Sequence, residues 1–173
     1  MKYLPRIADM VLKERLAAFG AVLIEGPKWT GKTTTAMQQA QSILQLQDPD
    51  RRDDNLATAA TMPSLLLKGK QPRLIDEWQD APTLWDAVRI AVDKSGGLPG
   101  QYILTGSNTV DKDKIYHSGT GRITRMKMYP MSLWESGDSS GEISLKALFD
   151  NPDYDIDGIT SQLEIPELIR VAC

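Results

Sequence analysis

Cysteine is nearly absent from the chain: Cys173 is the only one and the last of 173 residues. An internal disulfide or a cysteine zinc site would need a second cysteine that the chain does not have. Histidine is equally scarce, with His117 alone, which argues against a His-based metal centre or a Ser-His-Asp triad. Both residues are read as structural. No apolar run approaches the ~20 residues needed to span a bilayer. Near the start, Arg6, Asp9, Lys13, Glu14 and Arg15 interrupt the stretch a signal peptide would keep apolar. The expectation is a cytoplasmic protein with no membrane partner. A formal charge of -3 gives no general attraction to nucleic acid, so such a partner would need a local basic patch.

What is present fits a folded chain. A content of 41% hydrophobic and 25% charged residues argues against wholesale disorder, and the length suits one domain of ~100 to 200 residues. Residues 6–19 place Ala8, Leu12, Leu16 and Phe19 on one helical face, with Gly20 as C-cap. "AVLIE", residues 21–25, is the continuous apolar run of a strand buried on both faces. A helix is expected over 32–41, then a strand in "SILQLQ" before the turn Asp48-Pro49-Asp50. One or two short helices around Pro63 precede the strand "PRLIDE", residues 72–77. A helix over 82–94 carries Leu84, Trp85, Val88, Ala91 and Val92, with Pro82 in its first turn. "QYILTGSN" and "GRITRMKMYP" supply the fourth and fifth strands. Strands alternating with helices imply an α/β fold: a mainly parallel sheet covered on both faces, with ligands at the carboxyl ends of its strands. Residues 1–149 are assigned to this domain, and residues 150–173 to an acidic linker and the start of a following helical lid or second domain, cut short.

The stretch between the first strand and the second helix carries the chemistry. Gly26, Gly31, Lys32 and Thr33 match the phosphate-loop pattern G-x-x-x-x-G-K-S/T, standing after a buried strand and opening a helix. The chemistry needs a backbone whose N–H groups wrap a triphosphate, which glycines and a helix N-terminus favour. Gly26, Pro27, Lys28, Trp29, Thr30, Gly31, Lys32, Thr33 and Thr34 are therefore the candidate nucleotide-binding residues. Lys32 would reach the β- and γ-phosphates, and the Thr33 hydroxyl would ligate Mg²⁺. For Trp29, packing or solvent exposure is favoured over base stacking.

Cleavage of the nucleotide asks for more: a metal-bound triphosphate, an oriented water, and charge compensation. At the end of "RLIDE", Asp76 is placed to hold Mg²⁺ through water and Glu77 to polarise the attacking water. The competing reading is an acidic pair at a helix start, ahead of Pro82. Ser107, with Asn108 next, closes the fourth strand where a polar side chain would contact the γ-phosphate; plain turn chemistry is the alternative. Arg122 and Arg125 are the candidate cations. Arg122 is read as an arginine finger, toward a neighbouring subunit, or as a solvated edge residue.

These residues resemble a family of prokaryotic AAA+-like P-loop ATPases with an N-terminal ATPase module and a C-terminal restriction-endonuclease-like domain. The resemblance covers roughly residues 3–149 and rests on "YLPRIAD", "GPKWTGKTTTA", "LQDPD", "RLIDEWQ", "ILTGSN" and the "GR" before the strand leading to "YPMSLWE". It implies a three-layer P-loop NTPase with a five-stranded, mainly parallel sheet of order 5-1-4-3-2. It also implies ATP as the nucleotide, Lys32 and Thr33 as phosphate and Mg²⁺ residues, Asp76 and Glu77 as metal and water residues, and Ser107 as γ-phosphate sensor. Independently, no Asn-Lys-x-Asp guanine-reading motif follows the fourth strand. The expected function is Mg-dependent ATP hydrolysis that drives or gates a C-terminal partner domain, in a monomer or a homo-oligomer. The alternatives are a nucleotide-gated switch with negligible turnover, a fragment of a DNA-processing motor, and a small-molecule kinase.

Overall fold

The computed structural model describes residues 3–106, 118–151, 153–154, 156–158, 164 and 166. Ser107, Asn108, His117 and Cys173 lie outside them. The chain divides into two compact units: Arg6–Pro130, and Met1–Pro5 with Met131–Cys173.

In the larger unit, five strands form one sheet: β1 (Ala21–Glu25), β2 (Ser42–Gln45), β3 (Arg73–Asp76), β4 (Tyr102–Gly106) and β5 (Ile123–Lys127). Their order is β2-β3-β4-β1-β5, the expected one, and every neighbouring pair is parallel. The helices of this unit are α1 (Ile7–Ala18), α2 (Lys32–Met37), α3 (Arg52–Thr61) and α4 (Thr83–Lys94).

Alternation along the strands makes the sheet the middle of three layers. Val22, Ile24, Leu74, Ile103 and Met126 pack with Leu12 and Leu16 of α1 and Ala36 of α2. Their neighbours Leu23, Ile75, Leu104 and Ile123 face the other way, toward Ala59 of α3 and Leu84, Trp85, Val88 and Val92 of α4. Strands β1 and β4 are buried on both faces, and for that reason they read as near-continuous apolar runs. On edge strand β2 only Leu44 is buried.

Two local expectations are corrected. Gly20 does not cap α1: the cap residue is Phe19, in extended conformation, with its N–H on the Arg15 carbonyl. Gly20 is small because a Cβ there would lie 2.4 Å from Cγ1 of Val92. The helix expected over 32–41 stops at Met37, where the N–H groups of Gln38 and Gln39 bond three residues back, to Thr35 and Ala36, tightening and ending the last turn.

In the smaller unit, α5 (Leu133–Ser136) opens with a capping box. The Ser132 hydroxyl accepts from the Glu135 N–H, and the Glu135 carboxylate accepts from the Ser132 N–H. Gly137 closes it in the left-handed region at φ 85°. The second helix, α6 (Leu145–Asp150), is capped by the Ser144 hydroxyl on the Ala147 N–H. Both are too short for periodicity to reveal. Among the described residues, no helix is long and apolar enough to cross a membrane.

Candidate nucleotide site

Strand β1 runs into the loop without a break, and the close approach of the backbone sets the loop's residue types. A Cβ on Gly26 would lie 2.2 Å from the carbonyl oxygen of Met128, a backbone atom that cannot swing aside. Gly31 turns the chain into α2 from the left-handed region, at φ 89°. Trp29 shares that region at φ 69°, uncommon for a non-glycine residue, and its side chain is 100% exposed. Lys32 is 6% exposed. Its ammonium donates to the carbonyls of Gly26 at 3.0 Å and Pro27 at 2.8 Å, acceptors that a buried cation requires.

Asp76 gathers the next set of groups. Leu74 and Ile103 face α1 and α2, so two residues further along each strand Asp76 and Thr105 point to that same face. There the Thr33 hydroxyl donates to Oδ1 of Asp76 at 2.7 Å and the Thr105 hydroxyl to the same oxygen at 2.5 Å. The Thr105 oxygen in turn accepts the Glu77 N–H at 3.3 Å. Thr105 is fully buried, so this hydroxyl ties the ends of β3 and β4 together. Glu77 leaves β3 in the left-handed region, φ 56° and ψ 49°, and its carboxylate accepts from the side-chain amide of Gln79. The Gln79 Oε1 and the Trp78 indole N–H are buried and have no hydrogen-bond partner among the described residues. Both lie against Gly106, whose Cβ would be 2.7 and 2.9 Å from them.

Between loop and strand ends opens a cleft of about 620 Å³, with Lys28, Trp29, Lys32 and Thr34 on one side and Gln47, Glu77, Gln79 and Asp80 on the other. Its volume is that of small-molecule sites, ~300 to 1,000 Å³. Gln47 donates to Asp80 at 3.1 Å across its far wall.

Thus Lys32, Thr33 and Glu77 line one cleft, and Asp76 touches it through Thr33. Ser107 lies outside the described residues. The hydroxyl of the fourth strand that meets Asp76 within them is that of Thr105, which sequence reasoning passed over. Its signal was a polar side chain inside an otherwise apolar strand. Gln79 and Gln47 also went unnoticed; nothing in a glutamine's sequence context marks it. Arg122 is not brought to this chain's own cleft. It precedes β5, and its carbonyl accepts from Ala21 at the start of β1, so it sits at the amino-terminal edge of the sheet. A five-residue strand, about 15 Å, separates that edge from the loop after Glu25. There Arg122 pairs with Asp93 at 2.7 Å. Arg125 pairs with Glu25 at 3.0 Å and lies over the Trp85 ring, 5.1 Å from its centroid.

Among the described residues, no group of three or more His, Cys, Asp or Glu side chains could hold a metal ion. A cation at Thr33 and Asp76 would therefore draw most of its ligands from phosphate and water, the habit of Mg²⁺. The two hard oxygen donors, 2.7 Å apart, fit that ion.

No curated protein matches the sequence. The AAA_14 family model, described as an AAA domain, matches residues 18–136. That span runs from the end of α1 through all five strands to α5, takes in the phosphate loop and both strand ends around the cleft, and exceeds half of the chain. The chain belongs to the AAA_14 family of AAA domains, within the AAA+-like P-loop ATPases.

Proposed function

We propose that the chain binds Mg-ATP in the cleft beside the phosphate loop and cleaves its β–γ phosphoanhydride bond, using this cycle to drive or gate a partner domain. The observation that carries the reading is the meeting of Lys32, Thr33, Asp76 and Glu77 at the ends of β1 and β3. In this reading the loop from Gly26 to Thr34 wraps the phosphates, and the Lys32 ammonium exchanges its carbonyl acceptors for phosphate oxygens. Thr33 and Asp76 hold Mg²⁺, which neutralises phosphate charge. Glu77 orients a water molecule. The water oxygen bonds to the γ-phosphorus as the bond from that phosphorus to the bridging oxygen breaks, ADP takes the electron pair, and the water proton passes to the Glu77 carboxylate and on to solvent. Ser107 is the proposed sensor of the γ-phosphate. Arg122 serves the nucleotide of a neighbouring copy, since its own cleft is out of reach. A chain that stays monomeric during full turnover would refute that part.

The test is Mg-ATP binding by Lys32→Ala. The account expects binding to be lost, on the order of 100-fold or more for a buried charge-assisted contact, while circular dichroism shows the fold retained. Binding equal to wild type would sink it.

A second reading, the nucleotide-gated switch, is favoured by the hydrogen bond from Gln79 to the Glu77 carboxylate, which occupies the water-orienting group. Here the chain holds ADP or ATP and turns over only when a partner draws Gln79 away. Protein recovered with tightly bound ADP and releasing no phosphate supports the switch, and robust turnover by the isolated chain rules it out.

A further inference from the structure

Arg6 is 8% exposed, and no other described arginine is as buried. It is fixed at the head of α1: its N–H donates to the Asp9 carboxylate at 2.7 Å, and its carbonyl accepts the Asp9 N–H at 3.0 Å. From there its guanidinium reaches two distant carbonyls. Nη1 donates to Thr30, in the phosphate loop, at 2.8 Å, and Nη2 to Tyr129, two residues past β5, at 2.9 Å. One side chain thus joins the head of α1 to two segments that are 24 and 123 residues away in sequence. The loop lies close on both sides of the join: a Cβ on Gly26 would lie 2.2 Å from the Met128 carbonyl oxygen, and one on Gly31 would be in ordinary contact, 3.5 Å, with Nη1 of Arg6.

The consequence for the loop follows from the planar trans peptide. In the Thr30–Gly31 peptide, the carbonyl and the N–H point in opposite directions. With the carbonyl held by Arg6, the Gly31 N–H turns away from Arg6. Gly31 lines the cleft and Arg6 does not, so an N–H turned from Arg6 has the cleft open to it. A guanidinium suits the task because its rigid fork holds two acceptors at once, which an ammonium on a flexible stem does less well.

We propose that Arg6 is a positioning residue for phosphate binding, holding the middle of the loop so that its N–H groups face the cleft. The proposal rests on the nucleotide reading above and adds to it a residue outside the cleft. A purely structural arginine would stabilise the whole unit. A positioning one acts on the loop first.

The experiment compares wild type, Arg6→Met, Arg6→Lys and Lys32→Ala by amide hydrogen exchange without nucleotide and by Mg-ADP titration. In Arg6→Met, exchange at residues 28–32 and 128–129 is expected to rise about 10- to 100-fold, the loss of charge-assisted hydrogen bonds, while β1 and β4 keep their protection. Mg-ADP binding weakens by about the same factor, and Arg6→Lys falls between Arg6→Met and wild type. Unchanged exchange in the loop, or a rise shared equally by β1 and β4, overturns the positioning role. So does unchanged Mg-ADP binding in Arg6→Met when Lys32→Ala has lost it. Unchanged binding in Lys32→Ala overturns the nucleotide reading and the role with it. If Arg6→Met does not fold, Arg6→Lys, which keeps charge and stem, carries the same comparison.

Discussion

Asp76 accepts two hydroxyl groups on one oxygen, from Thr33 and Thr105, and the second is the less obvious partner. Thr105→Val keeps the shape but removes the donor to Asp76 and the acceptor of the Glu77 N–H. Urea denaturation should show a loss of about 1 to 3 kcal/mol, the cost of stranding buried polar groups. Phosphate release should fall while nucleotide affinity changes little, because the loop is untouched; unchanged stability and turnover would show the hydroxyl to be idle. Tyr102 makes a prediction about pH. Burial, the larger cause, raises its phenol above the ordinary 10.0, against hydrogen bonding from Gln71 and the nearby Arg73 charge. A folded-state pKa above the unfolded one gives stability that is complete below about pH 10 and lost as pH rises through the folded value. Tyr102→Phe should therefore flatten the alkaline limb of a stability-versus-pH curve, and an identical limb in the variant would contradict this. At this scale the placements that could be read were those set by local position: Lys32 and Thr33 after a buried strand, Asp76 and Glu77 at a strand's end. Thr105 and Arg6 were not legible because their partners lie 29 and 123 residues away in sequence, and only the fold brings them near.

The elements were readable where a period ran long enough. Helix α4 and strands β1, β4 and β5 follow from apolar spacing, and the two faces of the sheet follow from strand alternation. The order of the strands does not follow from periodicity; the family resemblance supplied it. Gly20 shows why element ends were harder. A glycine after a helix has two explanations, backbone conformation or lack of space, and here the second holds, since Val92 of α4 fills the place of a Cβ. Gly20→Ala should cost about 1 to 3 kcal/mol by overpacking. Val92→Ala in the same chain should return part of that loss, a coupling that urea denaturation of the double-mutant cycle measures. Strictly additive losses would mean that α1, β1 and α4 do not meet there as described.

For the whole molecule, the parallel sheet gathers the carboxyl ends of β1, β3 and β4 on one edge and leaves Arg122 at the other. Of the residues proposed for catalysis within one chain, the described ones, Lys32, Thr33, Asp76 and Glu77, stand at the first edge. The net charge of -3 gives no general attraction to nucleic acid, so a DNA-stimulated, salt-sensitive ATPase rate is not expected. The central claim is hydrolysis with Glu77 orienting the water. Its most direct measurement is the rate of phosphate release from Mg-ATP by the wild type beside Glu77→Gln, with nucleotide affinity determined for both. The account predicts turnover by the wild type and a loss of roughly 100-fold or more in the variant, the scale of a general-base contribution, at nearly equal affinity. Equal rates of release from both proteins would contradict it.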